Sequence, residues 1–139
     1  MANLSITASQ VSAGSGASET SAIASVAITA GQAVYLTATG QLALADANVS
    51  AVEAAAAGIA TSTASGAGQR VFYVTEGPVT LGAGAAPAAG QPYVVSATAG
   101  AICPDADITS TQYYRPLCTG IGNNQVFVSI PSFTPVVHA

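Results

Sequence analysis

With 139 residues the chain fits one domain on the usual scale of roughly 100–200 residues, and its hydrophobic half is rich in alanine, which buries little area. Only 6% of residues are charged, against about 25% in an ordinary soluble domain, and none is lysine; two arginines among six acids cannot form the basic stripe that nucleic-acid binding needs. No apolar run reaches the roughly 18 residues of a membrane span, and "MANLSITASQ" lacks the charged and apolar regions of a secretory leader, so the expectation is a soluble, non-exported protein with no membrane partner.

Residues 1–25 are Ser/Ala/Gly/Thr-rich, with Leu4, Ile6, Val11 and Ile23 as the sizeable apolar side chains. Such a stretch buries too little to order itself, so it is expected to be a flexible arm or one ordered on a partner, with Leu4, Ile6 and Val11 as its contact residues. From residue 26 short runs rich in β-branched and aromatic residues alternate with glycine turns: "VAIT", "AVYLT" and "LALA" read as strands. "VSAVEAAAA" (49–57) is the one helical candidate, with Asp46, Asn48 or Ser50 as N-cap and Gly58 as stop. "RVFYVTEG" and "GPVTLG" read as two further strands divided at Gly77.

After the linker at 83–90 the pattern returns. "AGQPYVVSATAGAIC" (89–103) repeats "AGQAVYLTATGQLAL" (30–44), and Gly58-Ile59 before "GQRVFYV" has its counterpart in Gly120-Ile121 before "NQVFVSI". Two units, at about 27–77 and 86–131, cannot each cover an apolar face but can cover one another. The expected fold is therefore all-β: a β-sandwich, jelly-roll-like or a partly open barrel built from two similar β-units, one domain over 26–139, with an extended N-terminal arm and at most one short helix.

The chain offers little to chemistry. Its only histidine, His138, is next to the last residue, where a catalytic base is poorly held. Asp105 and Asp107 of "CPDAD" are two carboxylates where calcium wants six to eight oxygens, and they read as a Pro-Asp turn, as does Asp46 in "LADAN". The glycine-rich stretches lack the lysine of a phosphate loop, and Glu19, Glu53 and Glu76 share no spacing. The expectation is no enzyme, no cofactor and no metal. Cys103 and Cys118 are either two free thiols or one bridge closing a loop of about 15 residues. "TQYYRPL" concentrates Tyr113, Tyr114 and Arg115, residue types enriched at interface hot spots, although the tyrosines equally suit a half-buried sheet edge. Phe133, in a tail bracketed by Pro131 and Pro135, suits a neighbour or its own core.

The duplicated AGQ unit, the "GIA … GQRVFYV" segment, the Ser/Ala-rich arm and the scarcity of charge together resemble the decoration, or cement, proteins of tailed-bacteriophage heads, over about residues 26–131. The resemblance implies an all-β virion protein on the outer surface of the capsid, bound as a dimer or trimer to a separate major capsid protein and bridging its capsomers against the pressure of packaged DNA. It carries over no catalytic residue. The alternative is a receptor-binding or adhesin-type β-domain of a fibre or cell surface, for which residues 113–115 are the candidate binding stretch.

Overall fold

Both copies of the AGQ turn are closed by the same three backbone hydrogen bonds. Gln32 N–H donates to the Thr29 carbonyl (3.1 Å), Gly31 N–H to that of Ala60 (2.7 Å), and Ala60 N–H back to that of Gln32 (2.9 Å). In the second copy Gln91 N–H donates to the Ala88 carbonyl (3.1 Å), Gly90 N–H to that of Gly120 (2.8 Å), and Gly120 N–H to that of Gln91 (2.9 Å). Gly31 and Gly90 sit at φ 97° and 83°, where a side chain would be strained. This match equates Ala60 with Gly120, so the shared Gly-Ile pairs lie two residues out of structural register.

The computed structural model describes residues 3–82, 84–85, 87–108, 112–122 and 124–130, with the backbone of 136–137. Its strands are β1 (Ser12–Ala13), β2 (Ser18–Ile23), β3 (Ala33–Leu36), β4 (Leu42–Leu44), β5 (Gly58–Ala60), β6 (Arg70–Thr80), β7 (Pro92–Val95), β8 (Ile102–Pro104), β9 (Tyr113–Tyr114), β10 (Pro116–Gly122), β11 (Gln125–Ser129) and β12 (Val136–Val137). The chain is all-β: one curled antiparallel sheet forms a half-barrel in the order β4-β3-β5-β6-β11-β10-β7-β8, and β9 pairs with β12 apart from it. The order reads alike from both ends, because β3 pairs with β4 and β5 as β7 pairs with β8 and β10, and β5 meets β6 as β10 meets β11.

The long strand β6 organises the rest. A strand residue has one neighbour on each side. Since β2 and β5 both pair with Tyr73 and Val74, they flank β6 from opposite sides; β1 and β11 do the same at Val79 and Thr80. The arm strands β1 and β2 run as one ribbon, joined through the Gly14 N–H to Pro78 carbonyl bond (2.7 Å), so β5 and β11 share the far side. The two branches starting there meet again at a seam. Ala33 N–H donates to the Gly100 carbonyl (2.9 Å), Gly100 N–H to that of Ala45 (2.8 Å), and Ala47 N–H to that of Ser96 (3.0 Å). Enclosed between them is the main core, with Ile59, Val74, Val79, Leu81, Val94, Ile102, Leu117, Val126 and Val128 all buried. A smaller cluster of Ile28, Val34, Leu42, Val71 and Tyr73 belongs to the first unit alone.

Three expectations change. The helix shrinks to one turn, α1 (Ala51–Ala54), with Ser50 Oγ accepting the Glu53 N–H (3.1 Å) as N-cap. Alanine propensity would carry it on, but Ala57 N–H is taken by the Val34 carbonyl (2.7 Å), and sheet pairing wins. Secondly, "RVFYVTEG" and "GPVTLG" form the single strand β6. Gly77 (φ 114°) lies beside a register shift against β2, and Pro78, whose carbonyl faces the arm, turns its missing donor to the same side, into the break between β1 and β2. Thirdly, the arm is neither free nor waiting for a partner: from Asn3 to Ile23 it lies on its own body, and "VAIT" contributes only an isolated bridge from Ile28 to Ala64.

Candidate functional site

The arm residues singled out from sequence are used internally. Leu4 N–H donates to the Ile102 carbonyl (2.8 Å), Leu4 and Ile6 pack half-buried on the main core, and Val11 is buried within it. Their seat is made of glycine. A Cβ on Gly31 would collide with Cγ2 of Ile6 and lie 3.1 Å from Cγ2 of Val11; one on Gly82 would meet Gln10 and Thr7, and one on Gly77 would meet the Ala17 backbone at 2.6 Å. The arm thus fills a track that larger residues would close. Beside it, Leu4 and Ile6 face residues 29–32 and 98–101 across an open groove of about 310 Å³ lined by small and neutral side chains.

Of the second group, Tyr113 and Tyr114 are half-buried, with Tyr113 N–H bonded to the Ala47 carbonyl (2.8 Å), which sets β9 beside α1. Arg115 is 6% exposed, and burial lowers its pKa; a guanidinium so enclosed supports its own fold and offers little to a partner. Phe133 and His138 lie outside the described residues. The described members of the sequence-predicted contact set are therefore not gathered into one surface.

The cysteines are free and buried. Cys103 pairs with Val94 from one side of β7 and Cys118 with Tyr93 from the other, so two strand spacings, roughly 9–10 Å, separate their backbones, beyond the ~7 Å a disulfide spans. Burial pushes the Cys103 thiol up to about 11, and that of Cys118 higher still. Neither is a ready nucleophile. Asp46 Oδ1 accepts the Asn48 N–H (2.9 Å) in the turn expected of it, and Asp105 Oδ1 accepts from Gln91 Nε2 (3.3 Å) at the end of β8. Among the described residues no three His, Cys, Asp or Glu side chains approach closely enough to share a metal ion, and no helix is long and apolar enough to cross a membrane.

What stands out is apolar surface. Val52 projects from α1 at 66% exposure and Val49, in the turn just before the N-cap Ser50, is 56% exposed; α1 lies next to β9. On the outer face of the sheet Phe127 (41%) lies opposite Thr119 on β10 and Pro78 on β6, Thr119 lies opposite Pro92 on β7, and Ile121 (45%) sits diagonally from Phe127. Phe72, also exposed, has a charged setting between Arg70 and the Glu19 carboxylate that accepts from Thr61 Oγ1. Sequence reasoning missed Phe127, Ile121, Val49 and Val52. The alternation in "QVFVS" was the available signal, since with both valines inward the phenylalanine has to face out.

No protein-family model matches the chain, and a search of curated proteins returns no relative.

Proposed function

We propose that this chain is a decoration protein, binding the outer surface of a bacteriophage head as an oligomer and bridging neighbouring subunits of the major capsid protein. The observation that carries the reading is the set of exposed apolar side chains mounted on a charge-poor β-scaffold. Such surface costs little to desolvate, because few ionised groups must leave water. The shell contact is assigned to the exposed Val49 and Val52, beside the short strand that carries half-buried Tyr113, an aromatic of the type that anchors interfaces. With the arm seated on its own body, attachment through added strands at a neighbour's edge gives way to attachment through this surface. Each contact can be weak, since an oligomer binds at several equivalent points.

The test is co-sedimentation with expanded phage heads that lack the protein and with unexpanded precursor shells. Saturable binding to expanded heads at a fixed ratio to capsid subunits, lowered at least tenfold by Val52→Asp, is the expected result. Absence of binding to either shell, with adherence to host cells instead, would replace the reading with an adhesin.

A further inference from the structure

Phe72 differs from the other exposed apolar side chains in what surrounds it. The residue is 46% exposed and is flanked by Ser21, its register partner on β2, and by Thr61 just past β5, whose N–H donates to the Phe72 carbonyl (2.8 Å). Arg70, two residues earlier in β6 and so on the same face, extends Nη1 to donate to Ser21 Oγ (2.9 Å). Glu19, on β2 opposite Val74, reaches across β6, where its carboxylate accepts from Thr61 Oγ1. The exposed ring thus stands between a guanidinium held toward β2 and a carboxylate held toward β5, each fixed by a hydroxyl from outside its own strand. Ser62 Oγ, which accepts the Phe72 N–H (2.9 Å), adds a third hydroxyl beside the same residue.

These groups match the surface of a sugar ring. One face of a pyranose is a patch of C–H groups, which stacks on the negative face of an aromatic ring, and its rim is a set of hydroxyls that both donate and accept. Arg70 has N–H donors beyond the one given to Ser21, and the Glu19 carboxylate has a second oxygen. Because both side chains are already held, little freedom is lost when a ligand arrives. Other occupants fit worse. An anion such as a nucleic-acid phosphate meets Glu19, and a cation meets Arg70. A zwitterion would gain exposed ion pairs, which are weak in water, and would leave the hydroxyls unused. One ring covers about 150–250 Å², well short of the roughly 800 Å² per partner of a stable protein contact. We infer that the face around Phe72 binds a neutral hexopyranose, the terminal sugar of a glycan, stacked on the ring with its hydroxyls donating to Glu19 and accepting from Arg70. The site is open, so a single sugar binds in the millimolar range; on a shell carrying many copies, sites this weak would act together on a glycan-coated surface. Sugar binding needs neither a shell nor a second copy, so its test is separate from that of shell binding.

The experiment is saturation-transfer NMR on the full-length protein with methyl β-D-glucopyranoside, methyl β-D-galactopyranoside and methyl α-D-mannopyranoside, and with glycine betaine as a zwitterion, each at about 10 mM to suit weak binding. At least one sugar is expected to take up saturation, most strongly at the C–H protons of one ring face. Phe72→Ser lowers the transfer at least fivefold, and Arg70→Gln and Glu19→Gln, at exposed positions, lower it at least threefold each; Phe127→Ser, which removes an exposed ring on β11, leaves it within twofold. A circular-dichroism melt shows which variants are folded, and the two glutamine variants keep the test decisive where Phe72→Ser is not. No transfer to any of the three sugars, transfer that survives the substitutions around Phe72, an equal loss on Phe127→Ser, or saturation of the betaine in place of the sugars overturns the inference.

Discussion

Replacing Gly58 by alanine tests how closely β5 lies on β6. The added Cβ would collide with the Val74 carbonyl oxygen and lie 2.9 Å from the carbonyl carbon and 3.1 Å from Cδ2 of Tyr73. Val74 belongs to the strand that is paired on both sides, with Glu19 and with Ile59, so its backbone cannot retreat without breaking one ladder or the other. Overpacking of this kind costs about 1–3 kcal/mol, and loosening the β5–β6 hydrogen bonds adds about 1 kcal/mol each, for a loss of roughly 3–4 kcal/mol. In a chain of this length, that lowers the Tm by about 10–15 °C. Gly66 is the matched comparison: a Cβ there meets nothing within 4 Å and its φ is not in the left-handed region, so Gly66→Ala restricts the unfolded chain and stabilises by about 0.4–1 kcal/mol. Thermal melts of both variants by circular dichroism give the comparison. A Gly58→Ala Tm within about 2 °C of the parent's, less than 1 kcal/mol would produce, refutes the argument.

Four further outcomes are expected. Because burial raises both thiols from their ordinary 9.0, Cys103 to about 11, the fold favours the neutral form; its contribution is complete below pH 9 and fades as pH climbs through 11, so the urea midpoint should fall over that range and a Cys103→Ala/Cys118→Ala variant should lose less of it. Ellman's reagent should react with neither thiol rapidly in the folded protein and with both in guanidinium; a fast native reaction would contradict their burial. Ser50→Ala removes the N-cap of α1 and should cost about 1 kcal/mol by urea denaturation, while Ile6→Ala, at a half-buried site over Gly31, should cost roughly 1–2 kcal/mol and expose the arm to limited proteolysis before the body.

The parts of this fold legible in the sequence are those written in local chemistry. The AGQ turns could be read because a positive φ demands glycine, and their recurrence marked the two units. Gly77 and Pro78 misled for the same reason, since two residues that normally punctuate a chain here sit inside one strand at the point where the arm turns away. The alanine run at 54–57 favours helix locally, and the carbonyl of Val34 that recruits it to the sheet is remote in sequence. The arm was least legible: its order depends on hollows at Gly31, Gly77 and Gly82, and a glycine states that space is left without saying what fills it. Residues 113–115 were singled out by type, yet Arg115 turned inward and the exposed apolar side chains stand elsewhere, at Val49, Val52, Ile121 and Phe127.

The position of β6 also dictates when the protein can become itself. Its neighbours come from both ends of the chain, the ribbon at 12–23 and the strand at 125–129, and the seam ties 33 and 45 to 96–100. A nascent chain emerging from the ribosome can zip the ribbon onto β6 early, but the interior stays open on one side until the last β-strand of the sheet has left the exit tunnel. Closure thus waits for residues 125–129 to emerge, and such distant pairings place folding in the slow millisecond-to-second range of high-contact-order proteins. During that wait the side of β6 reserved for β11 is an unprotected edge, and crowding by sister chains is the hazard the molecule faces before it ever meets a partner.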